Sequence, residues 1–195
     1  MFVVSLTQFL KLIKSDHSWH REYVIDLGAG DGKVTAHLEP LFDKVFVTEV
    51  SGTMRTLLSK KGYNILEVED WDNGRKYDLI MCLNLIDRCN TPMQLLKRIR
   101  QALQPGGLVF LALVLPFSAY VEIGSKTHKP EELLPIIGSS FEEQVDSLVS
   151  EVLKPSGFIV ESWSRVPYLC EGDLSQSYYW LDDAVFILKA DEHSS

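Results

Sequence analysis

Tyr23-Val24-Ile25-Asp26-Leu27, running into Gly28-Ala29-Gly30-Asp31-Gly32, is the stretch on which the fold turns. The first five residues read as a short buried strand, since β-branched and aromatic side chains suit a pleated surface. Gly28 cuts that strand off. Glycines at a strand-to-helix turn let the backbone bend sharply and let a ligand come close to it. Asp31 is placed to cap a helix through Val34 and Leu38 to about Leu41.

Outward from this turn the alternation repeats. Residues 44–48 (KVFVT) form a second strand. Ser51 caps a helix with Met54, Leu57 and Leu58 on its apolar side, and Gly62 stops it. Residues 64–68 and 77–83 are the third and fourth strands. Thr91 caps a helix carrying Leu95, Leu96, Ile99 and Leu103, ended by Pro105-Gly106-Gly107. Residues 108–115 form a fifth strand, 141–153 a helix, and 158–166 and 184–188 the last two strands. Upstream, Leu6, Phe9, Leu10 and Ile13 repeat at helical spacing, so residues 1–15 read as an amphipathic helix. Apolar strands alternating with helices predict an α/β domain over 16–190: a seven-stranded, mostly parallel sheet with helices on both faces. Residues 191–195 read as a frayed tail. Residues 116–139 hold Pro116, Gly124, Pro130, Pro135 and Gly138, a long irregular connection of the kind kept as a lid or binding loop.

Composition narrows the function. At 195 residues the chain is one domain. Its 27 acids against 19 bases leave a net charge of -8. A nucleic-acid partner needs a clustered basic face, so none is expected. From Glu161 onward there are seven acids and two bases, either a solvated surface or an acidic mouth over a site. No apolar run is long enough to span a membrane. MFVVSLTQFL lacks the basic n-region and cleavage site of a signal peptide. Cys82, Cys89 and Cys170 fit no zinc spacing and read as reduced thiols. His17, His20, His37, His128 and His193 are scattered, and no metal is expected.

The glycine turn discriminates between ligands. The dinucleotide fingerprint G-x-G-x-x-G needs a glycine at position 33, where Lys33 stands. A pyrophosphate would avoid Asp26 and Asp31, whereas a ligand with a cationic amino-acid end would not. S-adenosylmethionine, with its ammonium and sulfonium, fits, and the turn resembles the first motif of Rossmann-like, class I methyltransferases. Glu49, 21 residues after Gly28, ends the second strand, where this fold places a carboxylate on the ribose hydroxyls. Asp70-Trp71 follows the third strand, where an acid takes the adenine amine and an apolar neighbour covers the ring. Glu67, Glu69 and Asp72 are close alternatives to Asp70. The expected cofactor set is Asp26, Gly28, Ala29, Gly30, Glu49, Asp70, Trp71, Asn84, Leu85 and Tyr168. The plain alternatives are a packing turn for the loop and a solvated strand-end acid for Glu49.

After the fourth strand, Cys82-Leu83-Asn84-Leu85-Ile86-Asp87-Arg88-Cys89 puts two polar groups, Asn84 and Asp87, into an apolar run. The segment departs from the N/D-P-P-Y/F motif of many methyltransferases acting on nitrogen, so an amide or exocyclic amine acceptor is not indicated. Asp87 reads otherwise as a helix cap or a partner of Arg88.

The segments CLNLIDRC (82–89), LALVLPF (111–117), RVPYLCEGD (165–173) and YYWLDDAVF (178–186) closely resemble the DREV-type, or methyltransferase-like nine, proteins, over about residues 5–189. The resemblance implies a protein-histidine N-methyltransferase. It would place a methyl group on the pros nitrogen (Nδ1) of histidine in H-x-H motifs, leaving S-adenosylhomocysteine. It also implies that the segment around Tyr168 folds over the pocket, touching cofactor and peptide. The implied catalytic residues are Asp87 and Asn84. The expected substrate contacts are Asp87, Arg88, Tyr168, Glu171, Asp173, Tyr178 and Tyr179; Tyr178, Tyr179 and Trp180 read as an aromatic wall for the peptide or as packing, and Tyr168 otherwise as a core tyrosine. A monomer is expected. Family members usually carry a longer N-terminal region with a leader. An intracellular location is expected, and the family's leader leaves the compartment open among endoplasmic reticulum, mitochondrion and cytoplasm.

The chemistry suits these residues. A free imidazole has a pKa of about 6.5, so much of it is already deprotonated at neutral pH. The task is to choose the tautomer and hold the ring. Attack by Nδ1 needs the proton on Nε2, and a carboxylate accepting from Nε2–H fixes that tautomer and stabilises the growing positive charge. Asp87 is the candidate. Asn84 would bind the cofactor's amino-acid end or steady the ring. Glu171, Asp173, Asp182 and Asp183 could attract a histidine-rich segment. The alternatives are a small-molecule methyltransferase on the same fold, a catalytically silent binding module, and, weakened by Lys33, a nicotinamide oxidoreductase.

Overall fold

The computed structural model describes residues 3–121, 127–171 and 176–193. Its strands are β1 (Arg21–Leu27), β2 (Phe42–Thr48), β3 (Asn64–Leu66), β4 (Tyr77–Leu83), β5 (Leu103–Leu115), β6 (Phe158–Glu171) and β7 (Tyr178–Ala190). They form one sheet in the order β3-β2-β1-β4-β5-β7-β6. β1 pairs in parallel with β2 and with β4, and β4 in parallel with β5. β7 alone runs antiparallel, because a hairpin turns it back from β6 into the place beside β5. The strand order reverses between β1 and β4. In open α/β sheets that reversal opens a crevice at the carboxyl ends of the strands.

Both faces are covered. On one, α1 (Leu6–Leu12), α2 (Lys33–Leu38) and α3 (Gly52–Lys60) bring Phe9, Leu38 and Leu58 against Val24, Val47, Met81 and Phe110. On the other, α4 (Pro92–Ala102) and α5 (Phe141–Ser147) bring Leu96, Ile99 and Val145 against Ile25, Ile80, Leu111 and Phe186. Successive strand residues point to opposite faces. Val24 and Ile25 are thus both buried, in different cores, which is why the strands read as unbroken apolar runs.

The expected elements form, with altered ends. The first helix is only Leu6–Leu12, closed by a capping box between Ser5 and Gln8. The fifth strand starts at Leu103 and runs through Pro105-Gly106-Gly107, with a register shift against Tyr77 and Leu79. The helix expected over 141–153 is α5 and a wider π-type stretch, Leu148–Leu153. The last two strands outrun their apolar segments and build a long hairpin.

Three expected caps are corrected. Gly32, in a left-handed conformation, starts α2, while Asp31 accepts the Lys33 amide at 3.0 Å from one residue earlier. Ser51 and Thr91 stand at cap positions but make no side-chain cap bond. For α4 the cap comes from elsewhere: the Glu132 carboxylate accepts from the Met93 and Gln94 amides at 3.0 and 3.3 Å. The described residues Tyr120, Glu131 and Glu132 of the 116–139 connection are therefore docked on the segment after β4, while residues 122–126 lie outside the described residues. The Tyr120 amide also donates to the Asp87 carbonyl (2.9 Å), and Glu131 to that of Asn90 (3.0 Å). Among the described residues no helix is long and apolar enough to cross a membrane.

Candidate active site

A cavity of about 490 Å³ opens at the carboxyl ends of β1, β2 and β4, where the strand order reverses. The glycine turn forms its floor and is stapled to the end of β2. The Gly28 amide donates to the Thr48 hydroxyl (3.1 Å), Ala29 to the Thr48 carbonyl (3.0 Å), and Gly30 to Glu49 Oε2 (2.9 Å). Two glycines are sterically required. Gly28 has φ +71, and a Cβ there would lie 3.1 Å from Leu85. Gly32 has φ +70, and a Cβ would lie 2.8 Å from Leu58.

Gly28 and Gly30 line the cavity. Ala29 packs towards the α1–α3 core and Asp26 lies beneath the turn, so neither forms part of the wall. Asp26 is buried and accepts from the Thr35 hydroxyl at 2.6 Å. Burial pushes its carboxyl up to about 7, the Thr35 bond pulling the other way. The structure thus makes Asp26 a support of the turn.

Glu49 does face the cavity, from the end of β2. Its second oxygen accepts the Ser51 amide at 2.8 Å, which fixes the carboxylate's direction. Beyond β3, Trp71 and Val68 form the next part of the wall. Asp70 is exposed in the turn between them and is not on the wall. Arg98 of α4 holds this turn. It forks onto Asp72 at 2.8 and 2.7 Å, donates to the Val68 and Glu69 carbonyls, and lies 5.2 Å from the centre of the Trp71 ring.

The wall continues with Asn84, Leu85 and Arg88 after β4. Asn84 has φ +53, a conformation that asparagine tolerates better than most residues. Its amide N–H is anchored on the Ala112 carbonyl at 3.0 Å. Its side-chain Nδ2 donates to Asp183 Oδ2 at 2.9 Å. Asp87 is buried in the same segment, though its side chain does not line the cavity. Among the described residues Asn84 Oδ1, Asp87 Oδ1 and Asp183 Oδ1 are all buried without a hydrogen-bond partner. Such groups are rare, and each calls for an explanation. Burial raises the Asp87 carboxyl, with the Arg88 charge opposing. Burial takes Asp183 up to about 7, the Asn84 bond opposing and the charges of Asp87 and Asp182 adding.

Tyr168, buried on β6, closes the cavity from the other side. Tyr178 is exposed and Tyr179 half-buried near the hairpin's turn, and neither lines the cavity. The register sets Tyr179 on the same sheet face as Tyr168, and Tyr178 and Trp180 on the opposite one. The side chain of Glu171 and all of Asp173 lie outside the described residues.

The acidic mouth expected here is corrected for its other two members. Asp182 is paired with Arg165 at 2.6 Å, and Asp183 is fully enclosed beneath Asn84. Arg98, Asn90 and Gln94 also lie on the cavity wall without having been expected there, as does Thr91, expected only as a helix cap. A signal for Asp183 was present: it shares the period-2 face of Val185 and Ile187, which point inward.

The model of the DREV methyltransferase family matches residues 1–190. Solved structures share the fold. A Pyrococcus horikoshii protein provisionally assigned as an RNA methyltransferase is 13% identical with a TM-score of 0.64, over 97% of this chain and 82% of that one. An S-adenosylmethionine-dependent methyltransferase from Clostridium acetobutylicum is 14% identical with a TM-score of 0.57, over 94% and 89%. A glycopeptide N-methyltransferase complexed with S-adenosylmethionine is 16% identical with a TM-score of 0.58, over 95% and 87%. The family and the fold together make S-adenosylmethionine the cofactor, and the cavity's residues fit it: an open Gly30, a carboxylate at Glu49 and an unpaired acceptor at Asn84.

Proposed function

We propose that this chain, which belongs to the DREV methyltransferase family, methylates the pros nitrogen (Nδ1) of histidine in H-x-H motifs of protein substrates. The observation that carries this reading is the unpaired, buried Asp87 Oδ1, in the short segment bracketed by the cavity-lining Leu85 and Arg88. A buried acceptor without a donor costs about 1–3 kcal/mol, which an incoming N–H would recover.

Gly28, Gly30, Glu49, Trp71 and Asn84 would hold the cofactor, which supplies an electrophilic methyl group on a sulfonium. The chain's own work is then positional and electrostatic. Asp87 accepts from Nε2–H, and this leaves the Nδ1 lone pair free to attack. Its carboxylate also stabilises the positive charge that grows on the ring as the new N–C bond forms. Arg88 and Tyr168, both on the cavity wall, confine the ring. Tyr179, on the sheet face of Tyr168, extends the surface available to the peptide. The net charge of -8 favours a histidine-bearing peptide over a nucleic acid.

The test is transfer of labelled methyl to a peptide containing A-H-A-H, with the modified nitrogen located by mass spectrometry and NMR. Wild-type protein should label Nδ1. Asp87→Ala should lower kcat by about 10²- to 10⁴-fold, the range of a positioned proton acceptor, while keeping its fold. No transfer, or full activity in a folded Asp87→Ala, would overturn the reading. Label found only in a small metabolite would favour a small-molecule acceptor.

A further inference from the structure

We propose that Asp183 is a positioning residue of the cofactor site. It sets the orientation of the Asn84 carboxamide, so that the nitrogen is held inward and the oxygen is kept as the acceptor for the cofactor's ammonium group. The inference goes beyond the choice of methyl acceptor and does not depend on it.

Asp183 lies in β7, opposite Val114 of β5 and Val166 of β6, and is fully enclosed. Ninety-nine residues separate it from Asn84, whose Nδ2 donates to it at 2.9 Å. In the structure the carboxamide nitrogen faces the Asp183 carboxyl and donates to it, a bond that a carboxyl oxygen accepts with or without its proton. The carboxamide oxygen is then left on the other side. Among the described residues that oxygen has no partner, although Asn84 is nine-tenths buried and lines the cavity. The backbone of Asn84 is fixed as well, by its amide bond to Ala112 and its positive φ. With the backbone fixed, the bond to Asp183 sets how the carboxamide is turned.

The ammonium is identified by the order of the sheet edge. From β3 to β4 the wall presents Val68 and Trp71, then Glu49, then Gly28 and Gly30, then Asn84. An apolar wall suits a nucleobase, and a carboxylate suits sugar hydroxyls. The donor left for the far end is the amino group of the methionine part.

Calorimetry with S-adenosylhomocysteine on the whole chain tests this. Asp183→Leu removes the acceptor at similar volume. It removes a buried acid but leaves Asn84 Nδ2 without an acceptor, so the melting temperature should stay within a few degrees of wild type. Its affinity should nevertheless fall roughly tenfold, the scale of one buried hydrogen bond to a charged group. Asn84→Asp alone sets two carboxyl groups face to face and should weaken binding at least as much. Asn84→Asp combined with Asp183→Asn exchanges the two groups. The new carboxamide at 183 donates back, and the new carboxylate at 84 again turns an acceptor to the cavity. Affinity should return to within about threefold of wild type. The KM for S-adenosylmethionine should follow this series while the KM for the peptide stays constant. Wild-type affinity in Asp183→Leu, or a double variant no better than Asn84→Asp, would overturn the inference. The exchange keeps two polar partners, so it decides the matter even where the leucine variant does not fold. Failure of the histidine reading would appear separately, as no transfer from wild-type protein to the peptide with the affinity series intact.

Discussion

Gly32 and Asp26 both act through the turn between β1 and α2. A side chain at Gly32 would meet Leu58 at 2.8 Å and Tyr63 at 3.0 Å, on a backbone already at φ +70. Gly32→Ala should therefore cost about 1–3 kcal/mol, from strained backbone and overpacking together, as read by denaturant unfolding. Asp26 makes the opposite point. It is a motif residue, yet it sits under the turn and binds Thr35. Asp26→Asn preserves a hydrogen-bonding group there, so affinity for S-adenosylhomocysteine should stay within about twofold of wild type, as expected of a residue off the cavity wall. A tenfold loss would instead place it in direct contact with the cofactor. The glycine turn was legible because φ and Cβ sterics are local properties. The role of Asp26 was not, because spacing alone does not say which way a strand-end carboxylate points.

At the scale of elements, two long-range ties shape the cavity. Arg98 joins α4 to the turn after β3, and Glu132 joins the 116–139 connection to the start of α4. Arg98→Met should loosen the wall that Trp71 forms and lower cofactor affinity several-fold. Arg98→Lys should not restore it, because an ammonium cannot form the planar fork. Glu132→Ala leaves the Met93 and Gln94 amides without their carboxylate. It should cost about 1 kcal/mol, as lost helix caps do, and should speed hydrogen exchange at those two amides. The helix itself was readable from its apolar spacing. Its cap was not, since Thr91 has the right residue type in the right place and the carboxylate comes instead from thirty-eight residues or more away.

For the whole molecule, three buried acids set the response to pH. Burial raises the carboxyls of Asp26 and Asp183 to about 7 and raises that of Asp87 as well. Between the ordinary carboxylate range and these raised values the native state binds more protons than the unfolded chain. Stability is then full below that range and is lost as pH rises through about 7. The melting temperature should be higher at pH 6 than at pH 8, and Asp26→Asn should flatten that slope. Asp72 works in the reverse sense: its bond to Arg98 lowers its carboxyl, and that contribution is lost as pH falls below the ordinary range. The alternating elements, the seven strands, the glycine turn and the positions of Glu49 and Trp71 could be read from residue order, because periodicity and steric freedom are written within a few neighbouring residues. Tertiary structure alone decided that β7 enters between β5 and β6, and hence that Asp183 meets Asn84 and Arg98 meets Asp72. Those contacts depend on which strands and helices become neighbours in space, a competition among distant segments that no local spacing records.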